Sequence, residues 1–130
     1  MKVVCALICE SGKVLVAQRP EGKTLGGKWE FPGGKINNGE HPTDALIREI
    51  LEELGLEINV GDSLTPHTHY YPEFMITLIP YVCSIRGGVL RPSEHKSILW
   101  ASPVELLKLD LAAADIPIAQ EYLRVLPPEE

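Results

Sequence analysis

Apolar positions along this chain follow two rhythms. Residues 2–9 and 13–19 are short apolar runs separated by Glu10-Ser11-Gly12, a pattern that predicts two strands joined as a hairpin. Residues 20–41 keep no sustained period and predict loop, with a short extended piece near Trp29. From Pro42 the period changes to that of a helix. At roughly 100° per residue, Thr43, Leu46, Ile47, Ile50, Leu51 and Leu54 span an arc of about 140°, an apolar face fit to pack on a sheet. The predicted helix over 42–54 is well punctuated: His41 as cap, Pro42 at its first position, Asp44 in its first turn and Gly55 as its stop. Residues 57–60, 67–71, 75–85 and 97–101 predict further strands, with breaks at Pro72-Glu73 and Gly87-Gly88. Ser102-Pro103-Val104-Glu105 is a capping-box sequence that opens a short helix. A last helix is predicted over 116–125, ended by Pro127-Pro128. This order, free of repeats and low-complexity linkers, predicts one α/β domain over residues 1–130, a mixed sheet sandwiched between helical layers.

The polar side of the 42–54 helix carries the first chemistry. Glu49, Glu52 and Glu53 fall on an arc about 100° wide, at i,i+3 and i,i+4 spacing. Like charges so placed destabilise a helix by a few tenths of a kcal/mol per pair. Arg48, four residues before Glu52, offsets part of that cost but cannot neutralise three acids. Two readings stand: a solvated acidic face, or a seat for a hard divalent cation that takes oxygen ligands. The upstream segment Trp29-Glu30-Phe31-Pro32-Gly33-Gly34-Lys35 favours the second. Pro32 fixes one φ, the paired glycines permit positive φ and close backbone approach to a ligand, and Lys35 offers a positive charge suited to phosphate.

Composition narrows the partners. The chain has 130 residues and a formal net charge of −6, with no run of Lys or Arg. A nucleic-acid polymer would need a basic footprint; a free nucleotide carried in with a divalent cation would not. No apolar run reaches the length of a membrane span, and the N-terminus reads as strand rather than signal peptide. Cys5 and Cys9 would lie about 13 Å apart along one strand, too far for a disulfide. With Cys83 they are expected as buried free thiols in a reducing cytoplasm.

The residues Gly34, Glu40, Arg48, Glu49, Glu52, Glu53 and Gly55, with Ile50 and Leu56 as the bulky aliphatics, resemble a complete Nudix box over 34–56, and no position departs from it. Outside the box, VLVAQRP, WEFPGGKI, EHKSILWASPVELL and ADIPIAQEYL resemble the MutT-like nucleoside triphosphate pyrophosphohydrolases, closest in pattern to the branch of CTP pyrophosphohydrolases, which is also linked to oxidised or methylated deoxynucleotides. The resemblance implies a Nudix fold and Mg²⁺, with Mn²⁺ as a substitute, held by Glu49, Glu52, Glu53 and the carbonyl of Gly33. It makes Arg48 the residue that orients Glu49, and Glu40 a structural acid. It makes Glu94, in Pro92-Ser93-Glu94-His95, an additional metal ligand or the general base; Glu53 competes for the base role. Arg19 at the end of the second strand matches a phosphate-contacting arginine, or is a plain surface strand end. A metal-activated water would attack the β-phosphorus in line, giving a nucleoside monophosphate and pyrophosphate. The implied partner is a small nucleotide, and the implied state a monomer or homodimer in the cytoplasm.

Base choice rests on fewer residues. MutT has asparagine where this chain places Asp115, in Ala114-Asp115-Ile116-Pro117. An ionised aspartate only accepts hydrogen bonds, which favours a donating edge such as the amine of cytosine or adenine. If buried and protonated, it would regain a donor and tolerate 8-oxoguanine. Asp115 also fits as N-cap of the last helix, and the two roles are compatible. Phe31 and Phe74 are stacking candidates, while Tyr81, Trp29 and Trp100 read as core. His67 and His69 share a strand face and offer half a zinc site with no further ligand at suitable spacing, so they read as a strand face near the substrate cleft. Two other functions fit the same box: hydrolysis of ADP-ribose or a nucleotide sugar, and a non-catalytic nucleotide-binding module. Modules of the latter kind usually lack the box carboxylates, all of which stand here.

Overall fold

Residues 4–8 are buried almost completely, the signature of a strand covered on both faces. In the computed structural model, which describes residues 1–93, 95 and 97–125, this segment is the centre of the sheet. The elements run β1 (Lys2–Glu10), β2 (Lys13–Gln18), β3 (Trp29–Glu30), β4 (Gly33–Lys35), α1 (Pro42–Leu54), β5 (Leu56–Ser63), β6 (His67–Tyr70), β7 (Met75–Gly88), β8 (Ser97–Ala101), α2 (Pro103–Lys108), a 3-10 turn at Ala113–Asp115, and α3 (Ile116–Val125). β1 lies parallel to β7 from Lys2↔Thr77 to Ile8↔Cys83. On its other edge it pairs with β4 and, at Cys9 and Glu10, with β2. The main path is β3-β2-β1-β7-β5, with β8 on β2 and β6 on β7.

Alternation along β1 sends side chains to two cores. Val4, Ala6 and Ile8 pack with Leu46, Ile50 and Leu54 of α1. Cys5 and Leu7 pack with Leu106 of α2 and Ile118, Ala119 and Tyr122 of α3. The mixed sheet therefore lies between helical layers, as expected. β4 is a strand where only loop was expected, and β5 and β7 extend to Ser63 and Gly88.

The bounds of α1 agree with the local signals. His41 accepts from Thr43 N–H, Pro42 opens the helix, and Gly55, at φ 72°, returns its N–H to Leu51. The expected apolar face is wrong in its rotation. Ile47 and Leu51 are 40% and 50% exposed, whereas Ala45 is buried with Leu46, Ile50 and Leu54. The inward arc is turned by about 80° from the predicted one, so that Glu49 and Glu53 fall between Ala45 and Leu46 on it. Helical period alone misplaced the face; on the inward side, Gly34 leaves the space that the Glu49 carboxylate occupies.

All three cysteines are free, but Cys9 is only half-buried, its Sγ 3.4 Å from the Tyr122 hydroxyl. Burial pushes the Cys83 thiol up to about 12. Among the described residues no helix is long and apolar enough to cross a membrane.

Candidate active site

The sheet and α1 enclose one side of a cavity of about 770 Å³. Its lining includes Gly33, Gly34 and Lys35 of β4 with Glu53 of α1, and Asp115, Tyr71 and Phe74. Residues 20–41 and the far end of the chain thus meet around one space.

The glycine pair works differently from expectation. Neither Gly33 nor Gly34 has positive φ. Gly33 pairs with Cys5 across the sheet, and a Cβ on it would strike the Val4 carbonyl. A Cβ on Gly34 would strike the Glu49 carboxylate. Close approach, not left-handed backbone, demands glycine at both. Arg48 organises the acids around them: Nε and Nη2 each donate to Glu40 at 2.9 Å, and Nη1 donates to Glu49 at 2.9 Å and to Glu52 at 3.4 Å. Nη2 also reaches the Lys35 carbonyl at 3.2 Å, tying α1 to β4. The guanidinium, helped by the Asn37 N–H, holds the Glu40 carboxyl below its ordinary pKa. Glu40 is thereby committed to Arg48 and to the loop before α1.

The cavity is also lined by a cluster that sequence reasoning missed. Glu30 is flanked by Arg19 Nη1 at 3.4 Å and His95 Nε2 at 3.2 Å. The His95 side chain is only 6% exposed, and among the described residues its Nδ1 has no hydrogen-bond partner. A lone carboxylate inside the apolar Trp29-Glu30-Phe31-Pro32 was the available signal. Arg19, expected to face phosphate or solvent, instead spends Nη1 on Glu30 and Nε on the Thr24 carbonyl at 2.6 Å, though it still lines the cavity.

Asp115 is 5% exposed and accepts the Phe31 N–H at 3.0 Å. Burial pushes its pKa up to about 8; the Phe31 N–H opposes the rise, Glu30 adds to it and Arg19 opposes it. The N-cap expectation is corrected: the carboxyl turns to Phe31, in the 3-10 turn ahead of α3. Next to it the Ala114 N–H donates to the Tyr71 hydroxyl at 3.0 Å. Tyr71 packs on Phe74 with ring centroids 4.9 Å apart, and on His69 at 4.5 Å. Phe74 therefore reaches the cavity, with Tyr71, unremarked in the sequence, beside it. Phe31 also lines the cavity from within the core. His67 and His69 sit 6.3 Å apart on β6. Trp29, Tyr81 and Trp100 pack against the cores.

A model of the NUDIX domain matches residues 3–121. The chain belongs to the Nudix hydrolase family. This Nudix hydrolase is similar to the CTP pyrophosphohydrolase of Escherichia coli, 39% identical over 95% of this chain and 91% of that protein. It is also similar to the 8-oxo-dGTP diphosphatase of Proteus vulgaris, 39% identical over 60% of this chain and 70% of that one. Among solved structures, the MutT protein from Methanosarcina mazei Go1 superposes with a TM-score of 0.85 at 28% identity, covering 95% and 92% of the two chains.

Nudix hydrolases generally use a divalent metal, and the donors here fit one in kind. Glu49 lies over Gly34, Glu53 lines the cavity, and the Glu52 side chain is 60% exposed. Carboxylate and carbonyl oxygens suit a hard cation. Among the described residues no three His, Cys, Asp or Glu side chains converge on one point; Arg48 Nη1 is bonded to both Glu49 and Glu52. Glu94 lies outside the described residues.

Proposed function

We propose that this Nudix hydrolase is a Mg²⁺-dependent nucleoside triphosphate pyrophosphohydrolase that releases a nucleoside monophosphate and pyrophosphate. The observation that carries the reading is that one cavity is lined both by Glu53, Gly34 and Lys35 and by Asp115 and Tyr71. A triphosphate would lie along the former and its base against the latter. Names of similar proteins agree: CTP pyrophosphohydrolase and 8-oxo-dGTP diphosphatase.

Glu49, Glu52, Glu53 and the Gly33 carbonyl would hold the ion, with Arg48 keeping Glu49 in place. A bound divalent ion there would neutralise phosphate charge and acidify the attacking water. Glu53, reaching into the cavity, takes the proton as that water's oxygen bonds to the β-phosphorus; Glu94 is the competing base. The bond from the β-phosphorus to the bridging oxygen breaks, and the monophosphate leaves with that oxygen. Lys35 and Arg19 face the phosphate chain, Arg19 from its post beside Glu30. Because Asp115 holds its proton below about pH 8, its carboxyl offers a donor and an acceptor side by side. That pair matches the N3 and amine edge of cytosine, and equally the O6 and N1–H edge of an oxidised guanine. A free small nucleotide also suits a chain of net charge −6, and free thiols at Cys5 and Cys83 suit a reducing cytoplasm.

Turnover of CTP, dCTP, 5-methyl-dCTP, 8-oxo-dGTP and ADP-ribose, with product analysis, tests the reading. A triphosphate should be the best substrate and pyrophosphate a product; ADP-ribose as best substrate overturns it. Unchanged pyrophosphate release by Glu53→Gln would overturn the assignment of the base.

A further inference from the structure

Among the described residues, only Ser11 and Leu25 hold a positive φ without being glycine. Ser11 sits in the β1–β2 hairpin, where chain reversal demands it. Leu25, at φ 58°, sits in the segment between β2 and β3, beside Gly26 and Gly27. Glycine would adopt that conformation without steric cost, and a branched side chain does not. The segment is nonetheless tightly closed. Gly26 N–H donates to the Lys23 carbonyl, Lys28 N–H to Leu25, and Gly27 N–H to Arg19. Two side chains anchored beside it complete the hold, Arg19 on the Thr24 carbonyl and Gln18 on the Gly27 carbonyl.

The position of Leu25 has a second peculiarity. It is half-buried, yet it belongs to neither hydrophobic core and is not among the partly buried residues packed on them. What it lines is the cavity, the same space that Tyr71 and Phe74 line. An apolar side chain held in an unfavoured backbone conformation outside the core points to function, since such conformations persist where surrounding structure imposes them.

We propose that Leu25 is a nucleoside-binding residue: the 20–27 strap, latched by Arg19, fixes its side chain as an apolar wall against the base and sugar of the bound nucleotide. This rests on the triphosphatase reading and adds a contact from the strap to those of Asp115 and Phe74. It also gives Arg19 a positioning part, because its Nε holds the strap.

Leu25→Asn tests it, since asparagine tolerates left-handed backbone and lacks the apolar wall; Leu25→Gly is the second variant. The measurements are calorimetric affinities for CMP, 8-oxo-dGMP and inorganic pyrophosphate in Mg²⁺ buffer, with thermal melts. In both variants the better-bound nucleotide should weaken at least about tenfold, or about 1.4 kcal/mol, while pyrophosphate affinity stays unchanged and the Tm of Leu25→Asn is at or above that of the natural chain. Nucleotide affinity intact in both variants, whatever the Tm, overturns the proposal; so does an equal loss for nucleotide and pyrophosphate. If the natural chain hydrolyses triphosphates but the variants bind like it, only the Leu25 assignment falls. If the natural chain binds pyrophosphate and neither nucleotide, the triphosphatase reading falls with it.

Discussion

Asp115 is 5% exposed and accepts the Phe31 N–H, and burial raises its pKa from 3.8 to about 8. The folded state therefore binds more protons than the unfolded one between those values. Stability falls as pH rises from about 4 to about 8 and levels off beyond. Asp115→Asn keeps the acceptor for Phe31 and removes the ionisation. Its Tm relative to the natural chain should rise between pH 5 and pH 9, measured by thermal melts in matched buffers; a difference that is the same at both would contradict the burial argument. Asp115 stood out in the sequence, but its burial was not legible there, because desolvation depends on neighbours from β3 and the turn before α3. The glycines divide in the same way. Gly34→Ala pushes on the Glu49 carboxylate and should cost about a hundredfold in kcat with most of the stability retained. Gly33→Ala strikes the Val4 backbone and should show its main loss in Tm. Kinetics and melts on the two variants separate these effects.

The helix ends were local matters, and the sequence placed them correctly. The His41 cap, Pro42, the Gly55 stop and the Ser102-Glu105 capping box are all formed, because each depends on residues within one turn. The rotation of α1 was not local. Its apolar positions alone suggested a face including Ile47 and Leu51, yet the sheet takes the side with Ala45, Leu46, Ile50 and Leu54. Leu51→Gln should then change unfolding free energy by no more than about 0.5 kcal/mol, whereas Ile50→Ala should cost about 2–5 kcal/mol. Chemical denaturation of both variants checks the rotation. Equal losses would restore the face that periodicity suggested.

Across the whole molecule, the acids of α1, the strand β4 and the 20–27 strap come together with the turn before α3. A ligand that binds only this folded arrangement stabilises it by mass action. Mg²⁺ should therefore raise the Tm of the natural chain and have much less effect on a Glu49→Gln, Glu53→Gln double variant. Chelation should abolish turnover, and added Mg²⁺ should restore it. A Tm insensitive to Mg²⁺ in both proteins would count against the carboxylate seat. The motif from Gly34 to Leu56, the hairpin, the capped helices and the family could all be read along the chain, because propensity, caps and motif spacing are properties of neighbouring residues. The turn of Glu53 into the cavity, the Arg19–Glu30–His95 cluster and the elevated pKa of Asp115 could not. Each is made by groups distant along the chain, and packing alone sets their separation and their loss of water.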